Sequence, residues 1–400
     1  MNEKYPMNRG MLFVGAYVGI LLAANNATFS IISRGLSQAN GWELNDLTFA
    51  YPLNLLVLCI VGIFAGIYSD QKGTRKLMFY GGILGTLGWI MTGWSVNPVM
   101  FYCSFGILCG VAEGFLYTPI LTQTLKWFPG KRGVMSGVLL SAAALGPFLM
   151  SPIFQKGGST LGFPMTLTAF GCCFFIVGLV FSRYQPGIAE MQQAESNNPA
   201  VEMTDFHPRE MVHTLAFYVL LLLLMALSCS GNMMTGTLYT IAIEQVHMPA
   251  AQAAWMVSLS TLSNLAGRLS YGRINDKIGP YKSLTLSILC TVGALSLLCT
   301  GAAGKTMVFC ACIAVIGFSF AGPLVIFPSV TQQFFGSHYF GVNYGIVFLG
   351  YSIAAFIGPR IALSLFSHTG SFESAYRISA AITIAGGGLL FLLKQIRKAQ

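Results

Sequence analysis

The chain has 400 residues, 54% of them hydrophobic and 9% charged, with a formal net charge of +9 and a mean hydropathy of +0.67. Soluble domains carry roughly 25% charged residues, so this chain lacks the polar surface that a large water-soluble enzyme needs. Its cover must be lipid, where every backbone polar group requires an internal partner. The basic residues sit in short loops between apolar runs rather than in a stripe, which excludes a nucleic-acid partner.

In chain order, apolar runs of a length that selects helices over barrel strands fall at 11–33, 49–69, 77–95, 98–124, 134–154, 163–182, 211–240, 251–272, 283–302, 306–330, 340–365 and 374–394. The expected fold is an all-α membrane protein of twelve transmembrane helices in two pseudo-symmetric six-helix bundles. Residues 1–182 form the N-terminal bundle, 183–210 a linker and 211–400 the C-terminal bundle. The linker is polar and broken by Pro186, Pro199 and Pro208, so it reads as flexible, its acids serving to solvate it. With both termini on the cytoplasmic side, sixteen Lys and Arg fall inside and four (Arg34, Lys156, Lys305, Arg377) outside, which is the charge bias that sets membrane orientation. The first run passes Phe29 without a small-residue cleavage pattern, so it reads as a retained span.

One short sentence is written twice. Gly66–Lys76 reads GIYSDQKGTRK and Gly272–Lys282 reads GRINDKIGPYK, with Asp70 and Asp276 at an offset of 206. Asn26 and Asn232 share that offset, Gly133-x-x-x-Gly137 matches Gly341-x-x-x-Gly345, and Gly146-Pro147 matches Gly358-Pro359. Parallel repeats of this kind describe two halves that rock about a central site. Asp70 and Asp276, each beside cations (Arg75 and Lys76; Arg273 and Lys282), are suited to accept the N-terminal amides of a neighbouring helix and to pair with Arg or Lys. That makes them a conformational latch.

The motif G-x-x-x-D-x-x-G-x-R-K, the twelve runs and the central linker resemble the major facilitator superfamily. LKWFPGKRGVMSG at 125–137, NYG at 343–345 and Gly358-Pro359 resemble its oxalate/formate antiporter branch, which is related to the monocarboxylate transporters. The resemblance implies alternating access in a cell membrane, that of a bacterial inner membrane, by a monomer. The implied partners are a small organic anion, protons or a counter-anion, and lipid.

Arg268 lies inside the run 251–272. A guanidinium in a membrane helix is costly, stays charged, and suits bidentate recognition of a carboxylate; snorkelling towards the inner surface is the bland alternative. The resemblance implies a substrate-binding arginine here. It also places an acid four residues earlier in monocarboxylate transporters, where this chain has Asn264, and a lysine of the oxalate carrier where this chain has Tyr351. One cation and a phenol fit a monocarboxylate better than a dianion.

Glu113, mid-span in GVAEGF, is a carboxylate that can take up a proton once removed from water; it is a candidate proton-coupling group or half of a buried ion pair with Arg268 or Arg360. Further wall candidates are Asn26, Asn232, Thr235, Tyr239 and Tyr117, for which a plain helix–helix hydrogen bond is an equal reading. The ten cysteines lack His or acidic neighbours and read as packing. The chain holds no complete G-x-x-x-x-G-K-[S/T] phosphate loop: Gly304-Lys305-Thr306 lacks the leading glycine, Cys299 standing in its place. No cofactor, metal or catalytic residue is expected.

Overall fold

The computed structural model describes residues 9–47, 49–128, 132–187, 205–300 and 306–399. The expectations for linker residues 188–204 and for the loop cations Lys4, Lys131 and Lys305 lie outside these. Every regular element among the described residues is helical: α1 (Arg9–Ala23), α2 (Phe29–Asn40), α3 (Ala50–Lys72), α4 (Arg75–Gly93), α5 (Pro98–Phe101), α6 (Gly110–Leu116), α7 (Thr118–Lys126), α8 (Arg132–Thr160), α9 (Phe163–Phe181), α10 (Pro208–Met211), α11 (Leu215–Glu244), α12 (Ala250–Ile278), α13 (Pro280–Cys299), α14 (Thr306–Phe335), α15 (Phe340–Thr369) and α16 (Glu373–Ala399).

Nine helical stretches among the described residues are long and apolar enough to cross a membrane. The bent pair Arg9–Asn26 and Phe29–Asn40, 49° apart, makes ten when counted as one broken span. The fold is therefore all-α and multi-pass. Two further helices of membrane length, α4 with 19 residues and α12 with 29, fall short on apolarity. In α12 the cause is plain, because Ser258, Ser260, Thr261, Ser263, Asn264, Arg268, Arg273, Asp276 and Lys277 all lie on it.

Local chemistry sets the breaks. Asn97 starts α5 by accepting the Met100 amide at 2.8 Å on its side-chain oxygen, the expected start beside Pro98. The stretch Pro98–Lys126 is one span, but Tyr102–Cys109 is wound as a π-helix and the chain breaks again at Tyr117 (φ −87°, ψ −80°). Pro119 follows that break and has no amide to give back to the preceding turn. Gly73 (φ 76°) and Gly279 (φ 82°) stop α3 and α12 in backbone conformations only glycine adopts readily, so the second glycine of each motif copy is a helix terminator.

The chain divides into two compact units. The first comprises Met1–Gly130, Ala142–Phe206 and Phe335–Ile346; the second comprises Lys131–Ser141, His207–Phe334 and Val347–Gln400. The opening turns of α8 and α15 thus belong to a different unit from the rest of their helices. Trp89, fully buried, centres the first core against Phe170 at 4.8 Å, Phe154 at 5.9 Å and Phe105 at 6.0 Å between ring centroids. The second core gathers Met233, Leu238, Ile241, Leu295, Leu298, Phe309 and Tyr376.

Candidate functional site

Asp70, near the end of α3, and Asp276, near the end of α12, make the same contact. Asp70 accepts the amides of Gly341 at 3.1 Å and Val342 at 3.0 Å, at the start of α15 within the first unit. Asp276 accepts those of Gly133 and Val134, both at 2.9 Å, at the start of α8 within the second unit. The first amides of a helix have no intrahelical partner and carry about half a positive charge, so a carboxylate there is doubly favoured.

Close backbone approach makes these contacts reachable. A Cβ added to Gly66 would lie 2.7 Å from the Gly341 carbonyl carbon, and one at Gly137 would overlap the Arg268 carbonyl oxygen. The first glycine of each motif copy and the matched Gly-x-x-x-Gly pairs are therefore the two sides of one packing device, built twice.

The two copies differ in charge. Asp70 also receives Gln123 Nε2 at 2.7 Å and Lys126 Nζ at 3.1 Å, and its side chain is 4% exposed. At the same offset of 206, Gln123 corresponds to Ser329 and Lys126 to Gln332. Ser329 accepts from Asn275 at 3.3 Å, and Gln332 Nε2 is buried without a hydrogen-bond partner among the described residues. The cation that pairs with Asp70 comes from α7, not from the cluster inside its own motif. Of that cluster, Arg75 donates from Nε to the Gln185 carbonyl at 3.2 Å and Lys76 is exposed, as are Arg273 and Lys282 of the second motif copy.

Arg268 is 9% exposed. Its Nε donates to Asn264 Oδ1 at 2.9 Å and its Nη1 to the Leu140 carbonyl of α8. Asn264 in turn donates to the Gly317 carbonyl at 3.1 Å. The guanidinium is held by neutral acceptors, and no carboxylate among the described residues pairs with it.

Glu113 is fully buried. Its Oε2 accepts from Asn26 Nδ2 at 3.1 Å, and the same nitrogen donates to Asn54 Oδ1 at 3.1 Å. Asn54 passes the chain on to the Phe105 carbonyl, inside the π-helical turn, at 3.0 Å. Asn26 lies in the 3-10 segment Ala24–Thr28 at the bend of the first span. Glu113 Oε1 has no hydrogen-bond partner among the described residues. The expected ionic partner is thus an amide, not Arg268 or Arg360. Arg360 is exposed and lies over the Phe356 ring at 3.6 Å.

The remaining candidates make separate local contacts. Tyr351 is half-buried and stacks on Phe348 at 5.0 Å. Asn232 donates to the Ser228 carbonyl of its own helix at 2.8 Å. Tyr239 is 41% exposed, and Tyr117 marks the break between α6 and α7. The Thr235 side chain lies outside the described residues.

The sequence reading missed Asn54, Gln123, Lys126 and Asp205 as working residues. Lys126 carried a signal, because the repeat offset lands it on the uncharged Gln332 in the other half. Two of the linker acids do more than solvate: Asp205 accepts the amides of Ser337 at 2.8 Å and His338 at 3.1 Å, and Glu210 accepts that of His207 at 3.0 Å.

Against known proteins, the model of the Major Facilitator Superfamily matches residues 14–359 and 221–400. The uncharacterised MFS-type transporter YhjX of Escherichia coli (strain K12) is 28% identical over 354 residues, 88% of this chain and 87% of that one. The oxalate:formate antiporter of Oxalobacter formigenes is 27% identical over 344 residues, 85% of this chain and 80% of its own. Among solved structures, the human organic anion transporter MFSD10 (TETRAN) superposes with a TM-score of 0.75 at 16% identity, covering 96% of this chain and 99% of that one.

Proposed function

The chain belongs to the Major Facilitator Superfamily, and from that premise we propose that it is a secondary carrier of a small organic anion, a monocarboxylate, in a bacterial inner membrane. The twelve spans and two six-helix bundles of the sequence reading remain part of this proposal: ten spans are apolar by composition, and α4 and α12 complete the count. Both termini are placed on the cytoplasmic side by the distribution of Lys and Arg.

One observation carries the reading. Arg268 is a buried, permanently charged fork whose described partners are two neutral oxygens. A substrate carboxylate binding bidentately would replace neutral acceptors with a charged one, roughly doubling the strength of each hydrogen bond. Leu140 belongs to the segment that Asp276 caps, so carboxylate binding at Arg268 would also remove one tie on the start of α8. Similarity to an oxalate:formate antiporter supports an anionic substrate. Tyr351, Asn232 and Tyr239 of the second unit, and Asn26 and Tyr117 of the first, remain the further proposed substrate contacts. The two aspartate latches, opened in turn, supply alternating access. Entry of an anion against the membrane potential costs about 2.3 kcal/mol per charge per 100 mV, so a proton or counter-anion must accompany it, with Glu113 the coupling group.

A second reading rests on Glu113. A buried carboxylate with no cationic partner and one oxygen unbonded among the described residues would also receive the ammonium of a zwitterion such as an amino acid or siderophore-like compound. Thermal stabilisation of the purified protein by monocarboxylates, dicarboxylates and amino acids, repeated in Arg268→Gln, separates the two. Stabilisation by monocarboxylates that disappears in the variant supports the anion carrier. Stabilisation by zwitterions alone, unchanged in the variant, supports the second. A receptor without turnover would be stabilised by ligand yet show no flux in vesicles.

A further inference from the structure

The start of α15 is held from a second direction, by the end of the linker. Asp205 Oδ1 accepts the amides of Ser337 and His338 at 2.8 and 3.1 Å. Beside it, the Phe206 amide donates to the Phe335 carbonyl at 3.1 Å. The Asn343 side chain donates back to the Phe206 carbonyl at 3.0 Å. The Phe206 and Phe335 rings meet edge to face at 5.9 Å. Gly336 has φ +82°, and any Cβ there would overlap Asp205, so the turn is shaped around this carboxylate. Two residues of linker thus grip both sides of the segment 337–343, and Gly341 and Val342, the amides Asp70 holds, lie between the two grips.

We propose that Asp205 is a positioning residue for the conformational cycle: with Phe206 it makes the linker a second fastener on the opening turn of α15, so that the Asp70 latch opens only when the linker lets go as well. It deepens the latch part of the proposed carrier mechanism. One short turn carries four amides accepted by two carboxylates from distant parts of the chain. Losing either carboxylate leaves amides unpaired and loosens the frame that orients the others. The linker then does more than join the halves; it times the release of one helix.

The test uses the full-length protein in nanodiscs and needs no substrate, so its outcome is independent of whether the anion assignment is right. Amide deuterium exchange is followed across 335–346 in the wild type, Asp205→Ala, Asp205→Asn and Asp70→Asn, with exchange in α13 and the melting temperature reporting intact folding. Coupled release predicts that Asp205→Ala speeds exchange by about ten-fold not only at Ser337 and His338 but also at Gly341 and Val342, which Asp205 does not touch. Asp205→Asn, which keeps an acceptor oxygen, gives a smaller rise, and Asp70→Asn speeds exchange at Ser337 and His338 in return. Acceleration confined to Ser337 and His338, or no acceleration at all, overturns the proposal and leaves Asp205 a local turn cap.

Discussion

Arg268 and Asp276 lie on one helix and hold opposite ends of one short segment: Asp276 accepts the first amides of α8 from Gly133 and Val134, while Arg268 donates to the carbonyl of Leu140. In the other repeat, the place of Arg268 at the offset of 206 is Gly62. The first half therefore has a glycine where the second has a charge. The symmetry of the proposed latch and the asymmetry of the proposed binding site lie on the same two helices.

The latches should differ in strength. Asp70 combines two amides, a buried amide side chain and Lys126, whereas the partners of Asp276 among the described residues are two amides. Asp70→Asn would leave Lys126 without its counter-charge and is expected to destabilise the latched state by about 2–3 kcal/mol, against about 1 kcal/mol for Asp276→Asn on its more exposed face. Amide exchange at Gly341 and Val342 in the first variant, and at Gly133 and Val134 in the second, measures both. Equal effects would remove the argument from Lys126.

Glycine packing makes a separate prediction. Gly137→Ala would drive a methyl group into the Arg268 backbone, and Gly66→Ala would drive one into that of Gly341. Backbone on the receiving side cannot rotate away, so each substitution should cost about 1–3 kcal/mol and slow turnover while leaving membrane insertion intact. Vesicle flux normalised to inserted protein decides it, and wild-type flux in both variants would show that the helices need not approach so closely.

Glu113→Gln isolates the proton from the hydrogen bond. A glutamine oxygen can still accept from Asn26, so the chain through Asn54 to Phe105 is preserved while the titratable group is gone. The expected result is loss of uptake driven by a proton gradient with substrate exchange largely retained. Equal loss of both would sink the coupling role. Glu113→Ala should damage both, because it strands a buried donor at about 1–3 kcal/mol.

Much of this was legible in the chain. Asp70 and Asp276 could be read because a motif repeated in register has one physical explanation twice, and the structure puts each on the helix amides foreseen for it. Arg268 stood out because a lone cation in an apolar run demands a partner. Its described partner is in part a backbone carbonyl, which has no sequence identity and could not be foreseen. Asp205 was illegible for the opposite reason: one acid in a polar linker resembles every other until the turn at Gly336 closes around it. Asn54 was hidden because its bond joins helices far apart in sequence. The run 251–272 reads as apolar in the sequence, but the polar and charged residues along the full helix α12 leave it outside the stretches apolar enough to cross a membrane.

The most direct test of the carrier assignment is counterflow in proteoliposomes loaded with unlabelled formate, acetate, lactate, oxalate or alanine, with the matching label added outside. The account predicts transient accumulation of a labelled monocarboxylate in the wild type, lost in Arg268→Gln and not restored by Arg268→Lys, whose ammonium cannot form the planar fork. Accumulation of alanine alone, persisting in Arg268→Gln, would contradict it and move the substrate's anchor to Glu113.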